Sequence, residues 1–267
     1  MNVPERLRKR GAPLVRLPQP EAPEDDMDMA EKHTFSGDDL ARMLGRMGRA
    51  LRRLGLRPGA ALALAPEDTL EHMMLWLAAL VHGHDVLLLA ADAKSVPNST
   101  GAMICPPDDK AHWQPLAARA GVKLATLGGH WEGSFFMLQM VQPEHGTMPR
   151  ESTACSVLSD GGVMTLPELL QRAEAFRKSK GMDKAPALLA SFTPWWSRSG
   201  LQAMLAMLLT PVPLYWLPPA LRGEGLAALP DALPQDAWLL GDAAFLEQAA
   251  SAAGVATRLH GGRRLMP

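Results

Sequence analysis

The sequence predicts an α/β protein with mainly parallel sheets, in which a βαβ-type pattern occurs twice. Three observations predict it. Short apolar runs alternate with helical stretches along most of the 267 residues, which is how strands joined by right-handed crossovers look in a sequence. The alternation occurs twice, roughly 130 residues apart: once from Ser36 to Gly128-Gly129, and again from Thr165 to Gly261-Gly262. Apolar residues make up 47% of the chain, enough to bury a core.

Taken in order, residues 1–32 hold the basic cluster Arg6–Arg10, five prolines and the acidic Glu24-Asp25-Asp26, with little apolar periodicity. They are expected to form a flexible arm. Ser36 is placed as a helix N-cap with Asp39 in the first turn. Leu40, Met43, Leu44, Met47, Leu51 and Leu54 then recur at helical spacing, and Gly55 with Pro58-Gly59 ends the helix. Ala61–Ala65 is a short strand. Residues 67–82 form a helix that is apolar nearly all round and is therefore expected between layers. Val86–Ala90 is an unbroken apolar strand, as in a parallel sheet. After a Pro/Asn/Ser/Thr loop come a helix over 111–121 and a strand over Val122–Leu127.

The second copy starts at a capping box, with Thr165 as N-cap and Glu168 three residues on. Leu166, Leu169, Leu170, Ala173 and Phe176 supply its buried stripe. Strand Ala187–Phe192, helix 199–209, strand Val212–Leu217 and helix 243–253 follow. The expected division is a flexible arm over 1–32, a first subdomain over 33–142, a linker over 143–164 and a second subdomain over 165–267.

Bulk charge narrows the partners. A formal net charge of −1 and a pI near 6.7 carry no signature of nucleic-acid binding. Cys105 and Cys155 form no ligand pair and fit reduced thiols of a cytoplasmic protein. No apolar signal segment follows the basic N-terminus. The longest uncharged stretch, Ser199–Leu221, contains Pro211, Pro213, Pro218 and Pro219, which break a spanning helix. A soluble protein without a membrane span is expected.

Few side chains point to chemistry. His82-Gly83-His84-Asp85 has a metal-like look, but no Cys or third His stands at a familiar spacing. A histidine at a helix C-terminus is also favoured by the dipole alone. Ser159-Asp160-Gly161-Gly162 is a turn before the Thr165 cap rather than a phosphate loop. Ser191, Ser197 and Ser199 lack a Gly-x-Ser-x-Gly context for a hydrolase nucleophile. Trp195-Trp196 suits either an interface anchor or core-edge packing. Arg42, Arg46, Arg49 and Arg53 share one helix face opposite the Leu/Met stripe. That face is either a solvated amphipathic surface or a docking surface for an acidic partner.

With these residues in view, the chain resembles the large N-terminal domain of the adenylate-forming superfamily, which includes acyl-CoA synthetases, peptide-synthetase adenylation domains and luciferases. The stretch from Thr34 through Arg57-Pro58-Gly59, the strand Ala61–Ala65 and the helix Leu75–Gly83 are similar to that family's opening. Phe192-Thr193-Pro194-Trp195 stands where a Pro-x-x-His segment usually lies. Gly261-Gly262-Arg263-Arg264-Leu265 resembles the Gly-Gly-x-x-Leu segment that backs the adenine. The resemblance covers roughly residues 34–267 and implies two stacked, pseudo-symmetric α/β subdomains related by a pseudo-dyad.

The departures from the family pattern shape the functional expectation. The family's phosphate loop is of the type Thr-Ser-Gly-Thr-Thr-Gly-x-Pro-Lys. The corresponding interval here, Val141 to Arg150, holds Pro143 and Glu144, and only Gly146 and Thr147 as remnants. The chain stops just after Gly261-Gly262, so the family's metal-binding Glu, ribose-binding Asp and C-terminal lid domain with its Lys are not in this sequence. The resemblance therefore implies a catalytically degenerate adenylate-forming-like protein with a binding, scaffolding or regulatory role in acyl or carrier-protein metabolism. The alternative is one half of a split acyl-CoA or acyl-carrier-protein synthetase completed by another polypeptide. No catalytic residue, metal ligand or cofactor is assigned, and ATP or AMP with Mg²⁺ enters only under the alternative. Gly146, Thr147, Gly261 and Gly262 are the candidate remnants of a nucleotide site. Arg42, Arg46, Arg49 and Arg53 are the candidate contacts to an acidic partner, an acyl carrier protein or an acyl-metabolising enzyme.

Overall fold

The computed structural model describes residues 2–17, 34–57, 59–127, 154–158, 162–227, 233–252 and 263–266. In chain order these give α1 (Val3–Arg8), β1 (Leu14–Arg16), β2 (Thr34–Phe35), α2 (Gly37–Arg53), β3 (Ala61–Leu64) and α3 (Leu70–Val81). Next come β4 (Val86–Leu88), β5 (Thr100–Cys105), α4 (Lys110–Arg119), β6 (Lys123–Thr126), β7 (Cys155–Val157), β8 (Val163–Thr165) and α5 (Leu166–Lys180). The last third supplies β9 (Leu188–Ser191), α6 (Arg198–Leu209), β10 (Leu214–Trp216), α7 (Arg222–Ala227), β11 (Trp238–Gly241), α8 (Ala243–Ser251) and β12 (Arg264–Leu265). The strands form two six-stranded, mostly parallel sheets with helices, an α/β fold.

The chain divides into a continuous unit, Arg42–Leu169, and a discontinuous one, Val3–Ala41 with Leu170–Pro267. The expected borders at 33, 142 and 165 thus differ from this division. The reason lies in which strands pair, since β1 and β2 join a sheet whose other strands lie beyond residue 187.

In the continuous unit the strand order is β6-β5-β3-β4-β7-β8, with only β8 antiparallel to its neighbour. Thr69 caps α3, its hydroxyl accepting from the His72 N–H at 3.3 Å. Every residue from Leu70 to Val81 except Glu71 is buried, as the all-round apolar pattern predicts. The Trp76 indole N–H donates to Ser156 Oγ at 3.0 Å, so a helix with no polar face is still tied to β7 by a directional bond. A second cluster, built on Met103, Cys105, Trp113, Leu116 and Val122, fills the space under α4. Thr100–Cys105, expected as part of a loop, is instead a central strand. The expected linker 143–164 likewise contributes β7 and the start of β8 to the sheet.

The C-terminal part of α2 packs on this unit through Gly48. A Cβ there would lie 2.0 Å from His82 Nε2 and 2.1 Å from Cδ2, so only glycine admits the imidazole. His82 and His84 are 7% and 1% exposed. His82 Nε2 and both ring nitrogens of His84 are buried without a hydrogen-bond partner. Burial, helped by the nearby charges of Arg52, His84 and Arg49, pushes His82 down to about 4. Burial also lowers His84.

The discontinuous unit has the order β12-β11-β9-β10-β1-β2, all parallel except β2. Val15 lies opposite Tyr215 in the β1–β10 pair. This corrects the expectation of a flexible arm over 1–32, because its first half is a helix and a sheet strand; residues 18–33 lie outside the described set. Tertiary contacts, not periodicity, hold the segment. Arg10, 2% exposed, donates from Nε to the Thr210 carbonyl at 3.1 Å and from Nη2 to that of Val212 at 2.8 Å. Both acceptors lie just past the C-terminus of α6, where a cation also meets the negative end of the helix dipole. Arg6 pairs with Glu174 of α5 at 3.0 Å. At Gly37 a Cβ would come within 2.1 Å of the Leu7 carbonyl oxygen, so α1 and α2 meet at backbone distance.

The two predicted helix starts are present. Asp39 N–H donates to Ser36 Oγ at 3.1 Å while Ser36 N–H donates to Asp39 Oδ2 at 2.8 Å. Glu168 N–H donates to Thr165 Oγ1 at 3.3 Å.

Candidate functional site

In open parallel sheets, ligands gather outside the carboxyl ends of the strands where the strand order reverses. In the discontinuous unit that place lies between β9 and β11. The chain leaves β9 through α6 to β10 on one side, and returns through α7 to β11 on the other. The loops at the carboxyl ends of β9 and β11 therefore lie side by side.

One carboxylate links the two loops. Asp242 follows β11 and caps α8, its Oδ1 accepting from the Phe245 N–H at 2.9 Å. Its Oδ2 accepts from the Thr193 N–H at 2.9 Å, reaching across to the loop after β9. Arg222, at the start of α7 and 8% exposed, grips both oxygens, Nη1 to Oδ1 at 3.1 Å and Nη2 to Oδ2. Its Nε donates to the buried Ser191 Oγ at 2.9 Å, and the guanidinium lies 5.4 Å from the Phe245 ring centre. Burial pushes the Asp242 carboxyl up, but the bonds from Arg222, Phe245 N–H and Thr193 N–H outweigh it and hold the group below the usual carboxylate range. Gly241 makes the arrangement possible. A Cβ there would lie 2.5 Å from the Ser191 carbonyl oxygen and 2.2 Å from the Phe245 ring.

Chemically this is a clamp. Asp242 accepts four hydrogen bonds, so no lone pair is left poised for proton abstraction. Ser191 Oγ receives its bond from a guanidinium, which withdraws electron density rather than activating the oxygen as a base would. The loop between them runs through the cis Thr193-Pro194 bond to the edge-on pair Trp195 and Trp196, with Trp195 fully buried. Ser197 then caps α6, accepting from the Gly200 N–H at 3.0 Å.

Of the site residues expected from sequence, Gly146, Thr147, Gly261 and Gly262 lie outside the described residues. The arginines are described. Arg42 and Arg53 are exposed, and Arg46 and Arg49 half-buried, on the part of α2 that belongs to the continuous unit. Among the described residues no group of three or more His, Cys, Asp and Glu side chains is placed to hold a metal, and no helix is long and apolar enough to cross a membrane. The Arg222–Asp242 pair was missed from sequence. Asp242 ahead of the Ala243–Ala249 pattern carries an N-cap signal, but nothing local marks Arg222 as its partner.

No family model and no curated protein matches the chain. Solved structures do. MatB from Rhodopseudomonas palustris is 18% identical with a TM-score of 0.72, over 98% of this chain and 53% of MatB. A putative long-chain-fatty-acid CoA ligase from the same organism is 13% identical with a TM-score of 0.76, over 100% of this chain and 70% of the ligase. The amide bond synthetase McbA from Marinactinospora thermotolerans is 15% identical with a TM-score of 0.67, over 99% and 54%. The chain spans about half the length of MatB and McbA. All three are adenylate-forming enzymes, and the chain shares their fold over that share of their length.

Proposed function

We propose that this chain is a binding or scaffolding protein built on the adenylate-forming fold, acting in acyl or carrier-protein metabolism without forming an adenylate itself. The observation that carries the reading is the Arg222–Asp242 clamp across the carboxyl ends of β9 and β11. A place where such sheets take ligands is laced by an internal ion pair instead. Sequence supports the same reading, since Val141–Arg150 offers Pro143 and Glu144 where a phosphate loop needs small residues and a cation. The shared strand order of the two sheets supports a duplicated scaffold. The partner on this reading is an acyl carrier protein or an acyl-metabolising enzyme, met through the arginine face of α2.

Two measurements test it. Acyl-dependent ATP–pyrophosphate exchange is expected to stay at background across fatty, aryl and dicarboxylic acids. ATP with Mg²⁺, or a non-hydrolysable acyl-adenylate, is expected to leave the melting temperature unchanged, because a ligand that binds only the folded state raises it. Exchange or stabilisation by the chain alone would overturn the proposal. Exchange that appears only on adding a second polypeptide would replace it with a split synthetase.

A further inference from the structure

The arginine face extends beyond the four positions on one side of α2. From Leu40 to Pro66 the chain contains no acidic residue and six arginines: Arg42, Arg46, Arg49, Arg52, Arg53 and Arg57. At 100° per residue, Arg42, Arg46, Arg49 and Arg53 fall within about 60° of one another, in a row about 16 Å long. Arg52 and Arg57 are exposed beside the lower end of that row. Arg46, Arg52 and Arg57 have no carboxylate partner among the described residues. The positive field of this face is felt inside the unit, since Arg52 and Arg49 both disfavour charge on the buried His82.

We infer that the outer face of α2 is a docking surface for an acidic helix of a partner protein, one that presents carboxylates at three- and four-residue spacing along a single side. The inference deepens the partner named in the proposed function and rests on that reading only for its biological setting. Charge distribution argues for this partner over a nucleic acid. Outside the arginine segment, the described residues between 59 and 169 carry eight acidic and four basic side chains, a formal charge of −4. A polyanion much longer than the row would run onto that negative surface. An acidic helix of about three turns matches the row and stops there. Arginine also suits the task, because its planar fork binds a carboxylate through two parallel hydrogen bonds.

The test uses the full chain and a synthetic helical peptide with glutamates at positions i, i+4, i+7 and i+11, read by fluorescence anisotropy. Binding is expected in low salt, at least tenfold tighter than for a peptide of identical composition whose glutamates are spread around the helix. It should weaken at least tenfold between 50 and 300 mM salt. Arg46→Glu with Arg53→Glu should abolish it, while Arg46→Lys with Arg53→Lys, which keeps charge and fold, should retain part of it. Equal binding of the two peptides, no binding of either, or a preference for single-stranded RNA or vesicles containing anionic lipid would overturn the inference. The outcome is separable from that of the functional proposal. Pyrophosphate exchange with peptide binding intact would sink the proposed function alone, and lost peptide binding without exchange would sink the docking surface alone.

Discussion

Replacing Gly48 with alanine is expected to destabilise the continuous unit, although helix propensity alone favours the change. In an ordinary helix interior, Gly→Ala gains about 0.8–1 kcal/mol. Here the new methyl would stand 2.0 Å from His82 Nε2 and 2.4 Å from Cε1, more than 1 Å inside ordinary contact distance. His82 is 7% exposed and its far side is packed, so either α2 shifts or the imidazole leaves its seat. Overpacking of this kind costs about 1–3 kcal/mol, so the net effect is a loss of up to about 2 kcal/mol where propensity predicts a gain. Urea denaturation followed by circular dichroism measures the total, and hydrogen exchange of the α2 amides locates it. Because the cause is one clash, His82→Ala in the Gly48→Ala background should recover most of the loss. The double-mutant cycle should show a coupling of at least about 1 kcal/mol. A Gly48→Ala protein more stable than the parent, or a coupling below about 0.5 kcal/mol, would refute the account of the α2 seat.

Two further outcomes follow from the same structure. His82 is held near 4 against an ordinary value of 6.5, so it is neutral in both folded and unfolded chains above about pH 6.5 and adds no pH dependence there. As pH falls from 6.5 towards 4 the unfolded chain takes up the proton first, and stability drops by up to about 3 kcal/mol before levelling off. The His84 shift has the same direction and adds to the loss. The urea midpoint of a His82→Ala variant, compared with the parent at pH 7 and pH 4.5, should show a visibly shallower dependence, and parallel curves would count against the buried neutral state. Asp242→Asn should cost about 2–4 kcal/mol by leaving the buried Arg222 guanidinium without its carboxylate. The carboxyl is held below its usual range, so its contribution is present above the ordinary carboxylate range and fades as pH falls through the lowered value. Thermal melts at pH 7 and at a series of values below pH 4 should show the parent–variant gap narrowing as the pH falls, and a gap that does not narrow at all would show that the pair is not the source.

Much of the fold was legible because burial leaves a pattern. The all-round apolar helix Leu70–Val81, the strands Ala61–Leu64 and Val86–Leu88 on either side of it and the caps at Ser36 and Thr165 follow from local chemistry. What escaped were strands with no period to detect. Leu14–Arg16 is a three-residue strand directly after Pro13 and forms only because Tyr215 and its neighbours wait 200 positions away. Thr100–Cys105 is buried on both faces except at Gly101, so it lacks the alternation that marks a half-exposed strand. Trp238–Gly241 is buried at all four positions for the same reason. The clamp was illegible for a different reason, since an ion pair between Arg222 and Asp242 is a fact of loop geometry at the ends of strands.

The pairing of β1 with β10 also sets an order of events during synthesis. The continuous unit has all its strands once residue 169 has left the ribosome, and nothing prevents it from forming then. Leu14–Arg16 and Thr34–Phe35, made first, have no sheet to join until Leu214–Trp216 has emerged. The earliest part of the chain is thus among the last to settle, a long-range closure of the kind that slows folding. The same geometry makes the N-terminal segment a guard. Trimming residues 1–17 would bare one side of β10, turning an interior strand into an open edge with unpaired N–H and C=O groups and inviting association between copies. A shortened chain is therefore expected to fail through insolubility before it fails through any loss at the arginine face or at the clamp.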